Sequence, residues 1–341
     1  MEGVKLKSAL TIITILGLSI LAGCAAGEKE LLSVNFQKGQ TLRYKFVTSR
    51  DINVDWSPTK SSSKPGRSKV DKSTESVEMV VAYTPIEIDS RGLTTIKATC
   101  ESVKAKRSSR RGQRATAKDA VESFSGRTFT LTVSPAGKIE DYSQLNQLIR
   151  EIGQKAFRPD RKRGRIKEPD MICDFVATQW FLWDSISSIE KAAKRVSVGQ
   201  SWKSKLSVPT PMVSRKAREV TYTLDEIRQS EEKRLAVIRS SYSLAESVPR
   251  GWPIPYSGRF RMSGMFGFLI GYKVLDLQGE GEELFNIDAG RTERYNQQYQ
   301  VQMEASLRLP MGEKPRITIK QNLTMQLLEQ EHQSTRTQEH K

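Results

Sequence analysis

Histidine is nearly absent from this chain of 341 residues. His332 and His340 both sit in a polar C-terminal tail, which leaves a folded body without a His-based triad, a His-rich metal site or a His general base. Most hydrolytic mechanisms lose their proton acceptor with it. Cysteine is scarce as well, and Cys24, Cys100 and Cys173 form no Cys-x-x-Cys pair. Neither a Gly-x-Ser-x-Gly elbow nor a phosphate-binding Gly loop occurs, so the sequence presents no catalytic constellation, no metal ligand set and no cofactor motif. Long apolar runs are missing apart from Ser8 to Cys24, and a mean hydropathy of −0.51 rules out a polytopic membrane protein.

Positive charge is abundant. Lys and Arg number 55 against 39 Asp and Glu, a formal charge of +16. Two runs hold much of it. The first contains Lys104, Lys106, Arg107, Arg110, Arg111, Arg114 and Lys118; the second contains Arg158, Arg161, Lys162, Arg163, Arg165 and Lys167. Such runs attract polyanions, although solvated loops carry the same composition. Neither run has interleaved aromatics on which bases could stack, so nucleic acid is not an expected partner.

The N-terminus reads as an address. Lys5 and Lys7 precede an apolar stretch from Ala9 to Ile20, and Leu21-Ala22-Gly23-Cys24 follows at once, the layout of an export signal too short for a comfortable span. Leu-Ala-Gly-Cys resembles the bacterial lipobox, which implies a diacylglyceryl group on the Cys24 thiol and cleavage before it. Ala25 in place of Asp implies sorting to the outer membrane, facing the periplasm. Several acyl chains, at about 0.8 kcal/mol per buried CH₂, make such an anchor stable. Anionic lipid, lipopolysaccharide or an acidic wall polymer would then meet the basic residues Lys104, Arg107, Arg110, Arg111, Arg161, Lys162, Arg163 and Arg165. Cys100 and Cys173 would lie in an oxidising compartment, as a disulfide or as two buried thiols.

Two phrases recur in the same order. Gly39-Gln40-Thr41-Leu42-Arg43-Tyr44-Lys45-Phe46 parallels Gly199-Gln200-Ser201-Trp202-Lys203-Ser204-Lys205-Leu206, and Ala136-Gly137-Lys138-Ile139-Glu140-Asp141-Tyr142 parallels Ala289-Gly290-Arg291-Thr292-Glu293-Arg294-Tyr295. A tandem duplication accounts for both. Period-two alternation marks strands at Leu42–Thr48, Val77–Thr84, Leu93–Val103 and Thr128–Val133 in the first half. In the second half it marks Trp202–Val208, Glu219–Leu224, Leu235–Leu244, Phe260–Leu275 and Leu284–Ile287, then a hairpin from Tyr299 to Leu309 and Ile317 to Leu327. Gly137 and Gly290 suit positive-φ turns. Leu145, Leu148, Ile149 and Ile152 fall at helical spacing, and so does a segment from Ile172 to about Arg195 that carries Trp180, Phe181 and Trp183. Ser57–Ser76 and Val103–Lys118 read as unstructured excursions. Glu280, Glu282 and Glu283, beside glycines, read as a solvated hairpin tip.

These features predict an α+β chain, mainly antiparallel β, with two related curved-sheet units joined by a helical segment after a signal peptide. The expected divisions are the signal over 1–23, a first β-rich unit over 24–145, a helical linker over 146–195, a second β-rich unit over 196–330 and a polar tail over 331–341. The lipobox, the Gly-Gln-Thr-Leu-Arg-Tyr-Lys-Phe opening and the Ala-Gly-Lys phrase together resemble bacterial envelope lipoproteins of uncharacterised, domain-of-unknown-function families. Curved antiparallel sheets with an inserted helix are also distantly similar to the lipoprotein-carrier half-barrel. The resemblance brings no catalytic residues and no cofactor. It implies a non-catalytic role, either binding a lipid or another apolar or anionic envelope ligand, or serving as a structural or assembly partner; an envelope hydrolase is the third alternative.

Overall fold

The computed structural model describes residues 29–56, 70–109, 120–135, 137, 139–156, 195–207, 216–230, 233–247, 269–307 and 314–328. Strands β1 (Leu42–Asp55), β2 (Val70–Ile88), β3 (Thr94–Ser109), β4 (Thr128–Val133) and β5 (Ile139–Asp141) form a first meander. Helix α1 (Ser143–Ala156) follows it. Strands β6 (Ser201–Ser207), β7 (Ala217–Ser230), β8 (Lys233–Leu244), β9 (Leu269–Asn286), β10 (Arg291–Leu307) and β11 (Arg316–Leu328) form a second.

The expectation of two sheet units joined by a helical segment is overturned. Among the described residues there is one 11-stranded antiparallel sheet in the order β5-β4-β3-β2-β1-β11-β10-β9-β8-β7-β6, and helix is confined to α1 and a short 3-10 turn. The physical reason is the edge. β1 and β11 would each expose a row of unpaired backbone groups if the meanders stood apart; instead Arg43–Asp55 pairs with the whole of β11, Arg316 to Leu328. Leu145, Leu148 and Ile152 of α1 are buried, as their spacing predicts, but the helix packs on β4 and a short 3-10 turn at Ala120–Phe124 and bridges no units. The second expected helix, with Trp180, Phe181 and Trp183, lies outside the described residues.

Several strands run past their predicted ends. β2 begins at Val70 and β3 continues to Ser109, pairing Ser73–Ser76 with Lys106–Ser109, so these parts of the two supposed excursions are strand. Leu269–Leu275 of one mark and Leu284–Asn286 of the other belong to a single strand, β9, whereas residues 260–268 lie outside the described residues. The C-terminal hairpin matches β10 and β11. The paired Gly-Gln phrases adopt one turn geometry ahead of β1 and β6: Gly39 and Gly199 have φ of 82° and 84°, and their N–H groups donate to the carbonyls of Pro85 at 2.8 Å and Leu224 at 2.7 Å.

Alternation sorts the side chains. Tyr44, Phe46, Ile52 and Val54 of β1, Val77, Met79 and Val81 of β2, and Ile317, Ile319 and Leu323 of β11 point inward and join one core cluster. Outward residues are polar and form cross-strand ion pairs, including Arg43–Glu101 at 2.7 Å, Lys45–Glu78 at 3.1 Å and Lys203–Glu219 at 2.8 Å. Apolar inside and charged outside is the inverse of the lipid-facing pattern of a transmembrane barrel.

A strap precedes β1. Leu32 is fully buried, Glu30 and Val196 exchange backbone hydrogen bonds at 2.8 Å, and the Asn35 N–H donates to the Gly290 carbonyl at 2.9 Å. Arg234 clamps the same end, its Nη1 2.9 Å from Glu30 and its Nε 3.0 Å from Asp288. Those hydrogen bonds from Arg234, its backbone N–H first, hold the Asp288 carboxyl below its ordinary pKa.

Burial also fixes the behaviour in alkali. Cys100 is a buried free thiol, and desolvation pushes its pKa up to about 12. Desolvation raises the phenols of Tyr44 and Tyr83 as well. All three bind a proton more tightly folded than unfolded, so their contribution is complete below the unfolded pKa values and is lost as pH rises above them. The thermal midpoint is expected to fall as pH climbs from about 9, where an unfolded thiol ionises, and Cys100→Ala is expected to delay the onset to about pH 10, where phenols take over. Scanning calorimetry of both proteins across that range checks it.

Candidate functional site

The inward face is mainly apolar, and its polar residues gather chiefly along two neighbouring rows. In the first, Tyr242 of β8, Gly279 of β9, Tyr299 of β10, Gln321 of β11, Arg50 of β1 and Glu75 of β2 stand opposite one another in register. In the second, Ser240, Gly281, Gln297, Leu323 and Thr48 do the same. Each of these positions falls on the buried phase of its strand, which is why polar groups end up inside.

The two glycines make the arrangement possible. A Cβ on Gly281 would lie 2.6 Å from the Tyr242 hydroxyl and 2.7 Å from Ser240 Oγ, and one on Gly279 would collide with Tyr299 Cβ and the Gln298 carbonyl. With β9 bare, side chains from β8 and β10 meet above it. The Tyr242 and Tyr295 hydroxyls are 2.9 Å apart, Ser240 Oγ is 2.7 Å from the Tyr242 hydroxyl, and Gln297 Nε2 donates to the Tyr295 hydroxyl at 3.2 Å. Arg218, 1% exposed, places its guanidinium carbon 4.9 Å from the Tyr242 ring centre and 5.9 Å from that of Tyr299. Aromatic faces partly replace the water its charge has lost.

Arg50 and Glu75 are a buried ion pair, with Arg50 Nη2 and Nε donating to one Glu75 oxygen at 2.6 and 3.1 Å. Gln321, between Arg50 and Tyr299, is 1% exposed, and neither its amide nitrogen nor its oxygen has a hydrogen-bond partner among the described residues. Leaving a buried amide unsatisfied costs about 1–3 kcal/mol, and such groups in native proteins are exceptions that need a cause.

Glu283 corrects another expectation. The glycine-flanked glutamates are not a hairpin tip but the middle of β9. Glu280 and Glu282 face outward, whereas Glu283 is buried and accepts a hydrogen bond from Thr292 Oγ1 at 2.6 Å. The Tyr44 hydroxyl donates to the Thr292 carbonyl at 2.9 Å. Glu283 lies on the same phase of β9 as Gly279 and Gly281, and a β-bulge in β10, where the β9–β10 register shifts between Thr292 and Arg294, lets Thr292 and Tyr295 both be buried.

Among the residues singled out in the sequence, Lys104 is exposed on β3, and Arg107 stands opposite Glu75 in the β2–β3 register. Arg110, Arg111, Arg161, Lys162, Arg163, Arg165, the lipobox residues Leu21, Ala22 and Gly23, and Cys24 all lie outside the described residues. The inner rows were not singled out. Their signal is there nonetheless: Arg50 shares a phase with Phe46, Ile52 and Val54, Glu75 with Val77 and Met79, and Gln321 with Ile319 and Leu323.

No protein-family model matches the chain, and no curated protein matches it in sequence. Among solved structures it is similar to one described as lipid-protein interactions in lipovitellin, at 10% identity and a TM-score of 0.41, with 86% of this chain covered. The chain spans only 26% of that protein. A second likeness is to an outer membrane channel from Pseudomonas putida F1, at 9% identity and a TM-score of 0.19, covering 86% of this chain and 97% of the channel. Likeness at these scores fixes neither family nor function.

The Arg50–Glu75 pair gives a direct test of how the inner face is held. Glu75→Gln deprives a buried guanidinium of its counter-charge and is expected to cost about 3–5 kcal/mol, whereas Arg50→Met combined with Glu75→Leu is expected to be near neutral or stabilising. Urea unfolding of the single and double variants measures both.

Proposed function

We propose that this chain is a non-catalytic binding protein of the bacterial envelope, held there by acyl chains on Cys24, and that its inward face receives the polar group of an amphipathic, lipid-like ligand. The observation that carries this reading is the Gln321 amide. Donor and acceptor lie buried without partners among the described residues, and the flanking inward positions Ile319 and Leu323 are apolar and buried. A molecule with one hydrogen-bonding group and an apolar body satisfies both features together. A wholly apolar ligand would leave the amide unpaired, and a strongly polar one would strand its remaining groups.

The strap supports the anchored orientation. Lys29 is five residues past Cys24, which the chain can span over at most about 18 Å. Because the strap is bonded at the Gly290 turn, that end of the sheet stays close to an anchoring bilayer. Lys104 and Arg107 lie toward the opposite end of β3, whose Thr94 stands at the anchored side. At about 3.3 Å per residue, Lys104 is about 33 Å from Thr94. This placement favours a second reading, an assembly partner whose basic end meets an acidic wall polymer or a facing leaflet rather than its own lipid headgroups.

Replacing Gln321 with Leu separates the readings. If the amide holds a ligand, Gln321→Leu raises the thermal midpoint by removing a buried unsatisfied group, while lipid that co-purifies with the native protein in mass spectrometry disappears. A native protein free of lipid after incubation with envelope lipids would sink the ligand reading and leave the assembly one. For the anchor, Cys24→Ser is expected to abolish incorporation of labelled palmitate and move the chain to the soluble fraction; an acylated, membrane-bound variant would overturn it.

A further inference from the structure

The outward face of β7 to β11 carries a groove of about 610 Å³, and Ser240, Gly281, Gln297 and Leu323 of the second inward row also line it from within its floor. It is built as a grid. Thr223, Arg239, Glu282, Asn296 and Thr324 stand opposite one another across the strands, and Thr221, Ser241, Glu280, Gln298 and Asn322 form the adjoining row. All ten line the groove. Register shifts in the β9–β10 ladder fall between Thr292 and Arg294 and between Gln302 and Met303, on either side of these rows. Bulges bend the strands they interrupt, and bends flanking a regular stretch leave it as the floor of a trough. At about 4.8 Å between strands, the floor runs about 19 Å from β7 to β11.

We propose that this groove binds an extended, uncharged glycan lying across the strands. The argument is chemical. The lining offers hydroxyls, primary amides and carboxylates, and its charges are partly compensated: Arg239 Nε is 3.1 Å from Asp225, and Gln298 Nε2 donates to Glu280. Ser241, Glu282, Asn322 and Thr324 have no side-chain hydrogen-bond partner among the described residues and face solvent. Two carboxylates against one guanidinium repel a polyanion, in contrast to the rest of this basic chain. A peptide that binds by strand addition needs a free strand edge, and every strand from β7 to β11 has neighbours on both sides. Only side chains are left to read a ligand here, and a grid of short donors and acceptors reads a hydroxyl-rich surface.

The test uses the full acylated chain in detergent micelles on an array of neutral oligosaccharides, followed by calorimetric titration with the best binder. Retention of neutral glycans, weakened about tenfold or more by Glu282→Ala and by Asn322→Ala at unchanged thermal midpoint, is the expected result. Lys104→Ala is expected to leave it intact. The proposal is overturned if no neutral glycan is retained, if retention survives both groove substitutions, or if the array retains only acidic polysaccharides. Competition for the groove by an unrelated extended peptide overturns it equally.

Discussion

The ladder between β1 and β11 carries the architecture. Each meander alone would end in a long strand with a row of open backbone groups, and pairing the first strand with the last satisfies both rows at once. The join also fixes phase. A slip of one residue in β11 would turn Ile317, Ile319, Leu323 and Met325 outward and bring Lys320 and Thr318 into the core, so the apolar pattern of one strand enforces the register of the other. Continuity across this join lets the inward rows run without a break from β8 to β2, and the same register sets Gln321 beside Arg50.

Much of this was legible in the sequence, and the exceptions have physical causes. Strand phase was clear wherever Val, Ile, Leu, Phe or Tyr occupied every second position, and the Leu145, Leu148 and Ile152 stripe located α1. Strand ends were lost where the inward phase turns polar. Arg50 and Glu75 are charged residues on a buried phase, and their mutual ion pair is what permits it; read singly, each ends the apparent alternation. Ser73 to Ser76 and Lys106 to Ser109 look like linker because their content is small or charged, yet they pair with each other at the far end of β2 and β3. The sheet as a whole was not legible, since nothing in local periodicity states that strands separated by most of the chain will pair.

The inner polar rows work against stability and toward definition. An apolar side chain at Gln321 or at the Arg50–Glu75 pair would cost less desolvation, so the retained groups point to a task rather than to packing. The outward ion pairs contribute little individually and make the outer face one that water, not hydrocarbon, must cover.

β9 binds the two faces together. Gly279 and Gly281 leave the inner surface open so that Tyr242, Tyr295 and Tyr299 can close above the strand, and the intervening and following outward residues, Glu280 and Glu282, stand in the groove. Backbone displacement by a single Cβ at either glycine would therefore shift the inner hydroxyl cluster and the outer grid together. Glycine in a strand interior normally weakens it; here full pairing to β8 and β10 offsets that weakness, because the neighbouring ladders hold on both sides what the missing side chains cannot. A bare strand flanked by tyrosines on one face and by amides and hydroxyls on the other is how one ladder builds two chemically opposite surfaces in so thin a layer.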